Sequence, residues 1–102
     1  MDLRAGSRWR SAVCDTELIV VRAPAGDVVL ECGGHPVIPI EAQRPADLQV
    51  EPDFAGGTPV GKRYADPELG IEVLATKAGV GTIAVNGVAL SLKDAKPLPA
   101  SD

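Results

Sequence analysis

The side chains with the widest chemical reach in this sequence are two cysteines and one histidine, Cys14, Cys32 and His35, and all three fall in one stretch. Thiolate and imidazole are ligands that zinc takes, and three protein ligands with one open position make a catalytic arrangement. Asp15, Glu17 and Glu31 lie close enough in sequence to supply a fourth ligand. Local folding is expected to gather the three. Two apolar runs, 18–21 and 28–30, flank Pro24-Ala25-Gly26, which is the outline of a hairpin. Antiparallel partners about that turn have numbers that sum to about 49, so Glu17 falls near Cys32 and Cys14 near His35. The expected metal site is therefore Cys14, Cys32 and His35, with zinc or iron as the cofactor.

Residues 11–37 also resemble a known family. Desulforedoxin and the related amino-terminal domain of desulfoferrodoxin bind iron through a Cys-x-x-Cys knuckle followed by Cys-Cys-Gly-x-Pro-Met. Here Ser11-Ala12-Val13-Cys14 lies on the first knuckle and Cys32-Gly33-Gly34-His35-Pro36-Val37 on the second. The strand–turn–strand between them is similar in length. The resemblance implies a rubredoxin-type metal-binding segment covering about a third of the chain and none of residues 41–102. Ser11 and Gly33 stand where that family has cysteines, so a tetrathiolate iron centre cannot form within one chain.

Two other readings of the same residues stand beside the metal site. Buried cysteine often acts as a small hydrophobe, and Gly33-Gly34 with Pro36 is ordinary turn chemistry, so the thiols could simply pack while His35 is solvated. Alternatively the thiols cycle to a disulfide, although the spacing is not Cys-x-x-Cys. Nucleophilic catalysis would need a cysteine beside His35 and a third group to orient the imidazole. Elsewhere, Gly56-Gly57-Thr58-Pro59-Val60-Gly61-Lys62 has the spacing of a phosphate loop. Position 63 is Arg63 rather than Ser or Thr, and no helix follows, so the mechanism that motif serves is missing. Lys62 with Arg63 reads as a solvated pair, and Glu68 with Glu72 as surface charge.

These residues must be positioned by strands. Residues 8–13 alternate charged and apolar, the period of a half-exposed strand. Residues 16–22 are β-branched and apolar on both faces, which suits a central strand. Val28, Leu30 and Cys32 share one face of the next run. Residues 36–40 carry Pro36 and Pro39 and read as an edge. Residues 60–65, 71–76, 81–85 and 88–92 complete the set. Asn86-Gly87 between two alternating runs signals a tight hairpin, because both central residues need positive φ; Val85 then faces Val88, and Ile83 faces Leu90. The expected fold is all-β, a small antiparallel sandwich or open barrel of seven to eight short strands. The chain divides into a frayed start (1–7), a first strand group (8–40), a long Pro- and Gly-rich loop (41–59) with a helical turn conceivable at 45–48, a second strand group (60–92) and a loose tail (93–102). The two groups are expected to form two sheets packed face to face.

Bulk properties narrow the partners. A chain of 102 residues is one domain and buries roughly two thirds of its unfolded surface. The net charge of −4 and three aromatic residues, Trp9, Phe54 and Tyr64, argue against nucleic acid, which calls for basic surface and stacking platforms. No run is apolar enough for a membrane span, and the amino terminus is unlike a secretory signal. The expected location is the cytoplasm, where cysteines stay reduced, bind metal or do redox work. The Ala-, Gly-, Pro-, Val-, Asp- and Arg-rich mix suggests a bacterial source.

Three function classes follow. The foremost is a non-enzymatic accessory domain that binds a protein partner or itself through strand edges. The second is the metal-binding domain built on Cys14, Cys32 and His35. The third is a small enzyme or ligand carrier with a cleft under loop 41–59.

Overall fold

The structure, a computed structural model, describes residues 1–93. The tail expected at 93–102 lies outside them apart from Lys93. The described residues form an all-β fold of two antiparallel sheets that are not closed into a barrel. Ten strands run in chain order: β1 (Arg8–Arg10), β2 (Glu17–Arg22), β3 (Leu30–Cys32), β4 (His35–Pro36), β5 (Ile38–Pro39), β6 (Arg63–Asp66), β7 (Ile71–Lys77), β8 (Ile83–Val85), β9 (Val88–Ala89) and β10 (Ser91–Leu92). The larger sheet has the order β10-β6-β7-β2-β1-β5, and the smaller β4-β3-β8-β9. No helix among the described residues is long and apolar enough to cross a membrane.

Alternation along the strands decides what is inside. Leu18 and Val20 of β2 and Ile71, Val73 and Ala75 of β7 point inward and are buried. They meet Val28, Leu30 and Cys32 from β3 and its approach, and Ile83 and Val85 of β8. β2 lies between β7 and β1, the place a strand apolar on both faces takes. Its ladder with β7 slips between Val20 and Arg22, a local irregularity beyond which Val21 and Arg22 are exposed.

Two expectations about pairing are corrected. Residues 8–40 and 60–92 do not make one sheet each, because β2 pairs with β7 and β3 with β8, so both sheets draw on both groups. Nor is there a hairpin about residues 24–26. β2 and β3 belong to different sheets, and the connection between them arches from one to the other, held by the Ala25 N–H donating to the Leu69 carbonyl at 2.9 Å. The register that placed Glu17 opposite Cys32 does not exist. Glu17 instead pairs with Arg10 and Lys77. The tight hairpin in this region is β3–β4, closed by Gly33 and Gly34 at φ of +69° and +89°, with Cys32 opposite His35. A two-residue Gly-Gly link is a hairpin signal in its own right.

The Asn86-Gly87 turn forms as its chemistry requires, with φ of +51° and +82°. Val85 pairs with Val88, and the Leu90 N–H donates to the Ile83 carbonyl at 3.0 Å. Beyond Leu90 the chain leaves that hairpin. Ser91 and Leu92 pair with Ala65 and Tyr64 in the larger sheet. The same happens on the opposite side. β4 is an edge of the smaller sheet, Val37 is buried, and β5 is an edge of the larger one. Runs that read as one strand each, 36–40 and 88–92, are therefore two short strands in different sheets. Strands that change sheet at a bend make the corners of such packings.

Loop 41–59 contains no strand. Its helical turn is a 3-10 turn at Pro52–Phe54 rather than at 45–48, and Thr58 makes a single bridge to Gly79.

Leu90 fills the inner space at one corner, whereas Val88 on the same segment is 67% exposed. Leu90→Ala is expected to lower the free energy of unfolding by roughly 2–5 kcal/mol, and Val88→Ala to change it by about 0.5 kcal/mol or less. Urea denaturation monitored by Trp9 fluorescence measures both.

Candidate functional site

The tight loop between β1 and β2 is closed by the Ser11 N–H donating to the Thr16 carbonyl at 2.9 Å. Inside it the Ser11 hydroxyl accepts from the N–H groups of Val13 and Cys14, both at 3.1 Å. This aims the Cys14 side chain into the space between the sheets. Cys32, on the inner face of β3, comes from the other side. The sulfurs lie 3.9 Å apart, both as free cysteines. The Thr16 hydroxyl is 3.3 Å from the Cys14 sulfur. Ser11, Cys14, Thr16 and Cys32 thus form a buried cluster of two hydroxyls and two thiols, with Cys32 and both hydroxyl residues at 0% exposure and Cys14 at 6%.

The loop between β7 and β8 closes over this cluster. A side chain at Gly79 would strike the Thr16 backbone and approach the Cys14 sulfur to 3.0 Å; one at Gly81 would approach the Cys32 sulfur to 3.1 Å. Both positions need glycine: the Thr16 hydroxyl and backbone nitrogen fill the room a Cβ at 79 would take, and the Gly33 backbone, with the Cys32 sulfur behind it, fills that at 81. The residues that looked like a phosphate loop hold this cover in place. Gly57 and Thr58 donate their N–H groups to the carbonyls of Val80 and Gly79, Gly56 donates to the Thr82 hydroxyl, and the Thr58 hydroxyl donates to the Gly81 carbonyl at 2.6 Å. Backbone donors that would cradle a phosphate are engaged in strapping one loop to another.

The pair is electrostatically unequal. The Cys14 thiol is held below the ordinary value chiefly by its hydrogen bond with Cys32, with Ser11 and Thr16 assisting against the opposing effect of burial. Cys32 is pushed up, first by that same hydrogen bond and then by its burial. Cys14 is therefore the thiol that ionises first. Though buried, it also lies at the floor of a surface depression of about 260 Å³ that it lines together with Val13, Asp15, Arg44, Gly79 and Val80. Arg44 and Asp15 meet across its rim at 3.5 Å.

His35 is not part of this cluster. Its Nε2 lies 2.9 Å from the Gln49 carbonyl, which can only accept, so Nε2 carries the proton; the Glu51 carboxylate is 3.5 Å away. Among the described residues, no three His, Cys, Asp or Glu side chains converge as a set that could hold a metal ion. The structure brings together two of the three expected ligands, by packing sheet on sheet rather than by a hairpin. Loop 41–59 lies against the β3–β4 turn, with Val50 beside Gly33 and Glu51 and Phe54 beside Gly34. Through Arg44 it also contributes to the depression over Cys14.

A second feature escaped the sequence reading. Glu72, which resembled ordinary surface charge, is only 5% exposed. It sits on the outer face of β7, roofed by side chains rather than sunk in the core. Lys93 Nζ is 2.7 Å from one carboxylate oxygen and an Arg63 nitrogen 3.4 Å from the other. The Lys93 hydrogen bond and the nearby cations, Arg63 and Arg22 included, hold its carboxyl below the ordinary value of 4.5 against desolvation. Glu72 forms part of a cleft of about 340 Å³ walled by Ala65, Pro67, Ile71 and Leu92 and rimmed by Arg22 and Lys93. Cross-strand alignment was the missing signal: Arg22 stands opposite Glu72, a pairing visible only once β2 and β7 are neighbours.

Comparison with protein-family models finds no match, and curated proteins and solved structures give none either.

Two outcomes follow from these contacts. Gly79→Ala is expected to cost about 1–3 kcal/mol through overpacking, while Gly26→Ala, with open space around it, stays neutral or gains a few tenths; thermal unfolding of both variants compares them. For Glu72, a depressed folded-state pKa means that its stabilisation is complete above the ordinary carboxylate value and is lost as pH falls through the folded value. Glu72→Gln should therefore lower stability by about 1 kcal/mol at neutral pH. The gap from wild type should close progressively on acidification below the ordinary value, as read from denaturation curves taken along a pH series.

Proposed function

We propose that this chain is a small non-enzymatic interaction domain that receives an extended segment of a partner protein along its β10 border. One juxtaposition carries the reading: a strand edge adjoining an apolar cleft with a charged rim. The Lys93 N–H donates inward to the Arg63 carbonyl at 2.7 Å. Because donors alternate in an antiparallel ladder, the N–H and C=O of Leu92 face away from β6. Leu92 is itself 43% exposed. An added strand would pair with that backbone and place an apolar side chain against Ala65, Pro67 and Leu92. The charged lining is mixed, Arg22 and Lys93 with Asp66 and Glu72, and since Lys93 is bonded to Glu72, Arg22 is the group offered to a carboxylate on the segment. Backbone pairing gives affinity in this mode of recognition, and the side-chain pocket gives selectivity. The β4 and β5 borders suit it less, since Pro36 and Pro39 lie in them.

The metal-binding alternative draws its support from the sulfur pair and from Ser11, Cys14, Cys32 and Gly33, the four positions on which the desulforedoxin resemblance rests. Among the described residues, no third His, Cys, Asp or Glu side chain joins the two sulfurs as a metal-holding set.

Peptides selected from a random library against the purified chain should be extended and acidic. They should shift the backbone amides of residues 64–66 and 91–93 in heteronuclear NMR spectra, and Leu92→Asp should weaken them by about tenfold or more. A second copy binding there would instead appear as a concentration-dependent mass in light scattering. Selected peptides that perturb other surfaces, with those amides unmoved, would remove the proposal.

A further inference from the structure

We infer that Cys14 and Cys32 form a peroxide-sensitive dithiol that closes to a disulfide between the two sheets. The inference concerns the buried corner and does not depend on the β10 border. Four observations converge on it.

The first is distance. The sulfurs are 3.9 Å apart with nothing between them, so a bond of about 2.05 Å requires their approach by roughly 2 Å. The second is the cover: positions 79 and 81, which pack on Thr16 and Cys14 and on Gly33 and Cys32, are glycines and put no side chain of their own against either sulfur. The third is access. Cys32 is sealed, but Cys14 lines the depression edged by Val13, Arg44 and Val80, which admits a reagent as small as hydrogen peroxide. The fourth is chemical asymmetry. Hydroxyls of Ser11 and Thr16 and the Cys32 thiol surround the Cys14 sulfur and favour its thiolate. The thiolate is the nucleophile in cysteine oxidation.

The steps balance with a peroxide as the oxidant. The Cys14 thiolate attacks one peroxide oxygen and the O–O bond breaks. Hydroxide leaves, takes a proton from solvent and becomes water, and Cys14 becomes a sulfenic acid. The Cys32 sulfur then attacks the Cys14 sulfur. The S–S bond forms, the S–O bond breaks, and the departing hydroxide takes the Cys32 proton as a second water. Two electrons have passed from the two sulfurs to the peroxide. A disulfide here would link the β1–β2 loop to β3, hence one sheet to the other. Reduction by a dithiol restores the starting state.

The test uses the full chain, reduced and freed of reductant, then exposed to hydrogen peroxide. Intact mass should fall by two hydrogens. Thiols reactive to iodoacetamide after denaturation should drop from two to none, and dithiothreitol should return both. Before oxidation, native alkylation of Cys14 should outpace that of Cys32 by about tenfold or more. Cys32→Ala should leave Cys14 trapped as a dimedone adduct, while Cys14→Ala should leave Cys32 unmodified; circular dichroism checks that both variants fold. Three results would overturn the inference: both thiols still alkylatable after excess peroxide, oxygen added to Cys14 in the wild-type chain without a disulfide, or stoichiometric zinc or iron released when the thiols are titrated.

Discussion

Two buried side chains, Val37 and Leu90, mark the points where the backbone passes from one sheet to the other, and the architecture rests on that constraint. Each passage supplies the last strand of both sheets at one side of the sandwich. Neither sheet could keep its outer strands if these residues were not packed between the layers. Every border strand is consequently two residues long. Brief borders, two of them containing proline, also limit indiscriminate strand pairing.

The same constraint fixes what the sulfur corner can be. Cys14 enters from a loop of the larger sheet and Cys32 from the second strand of the smaller one, so their approach measures how closely the layers pack. The corner is finished from outside by the β7–β8 loop, which comes this close only with glycine at 79 and 81, because Thr16 and the Gly33 backbone, with the sulfurs, fill the space beneath. Residues 56–58 tie that loop down. A cluster of two thiols and two hydroxyls is therefore held by four separate pieces of chain. Its thiols are unequal: the bond between them and its deeper burial push Cys32 up, while Cys14, which lines the depression, is held low.

At the far border, Glu72 illustrates how burial of a charge can arise without a polar core. Its carboxylate rests on the outside of the sheet, and the long side chains of Lys93 and Arg63 fold over it, both remaining about half exposed. Such a pair is partly hydrated, so its contribution to stability is modest. Its effect is local, since the charges are set at the mouth of an apolar cleft and give that cleft a definite electrostatic character.

Much of this was legible in residues alone. Short apolar, β-branched runs at 16–22, 71–76 and 81–85, separated by turn residues, determined an all-β chain, and alternation put Ile83 and Val85 on one face; which face of 16–22 turned inward was not written in that run, apolar on both sides. Asn86-Gly87 determined its own hairpin, since few other dipeptides accept positive φ at both positions. Gly33-Gly34 held the same information, masked by the stronger-looking break at Pro24 and Gly26. Pairing between distant strands was beyond local chemistry. Nothing near Val20 specifies Val73 as its neighbour, and nothing near Glu72 specifies Lys93. Only the packed sandwich decided that 24–26 would be an arch and not a turn, that the two thiols would meet without the histidine, and that a charge which looked exposed would be covered. Side-chain periodicity is a property of each strand, whereas partnership is set by which assembly of all the strands leaves the least apolar surface in water.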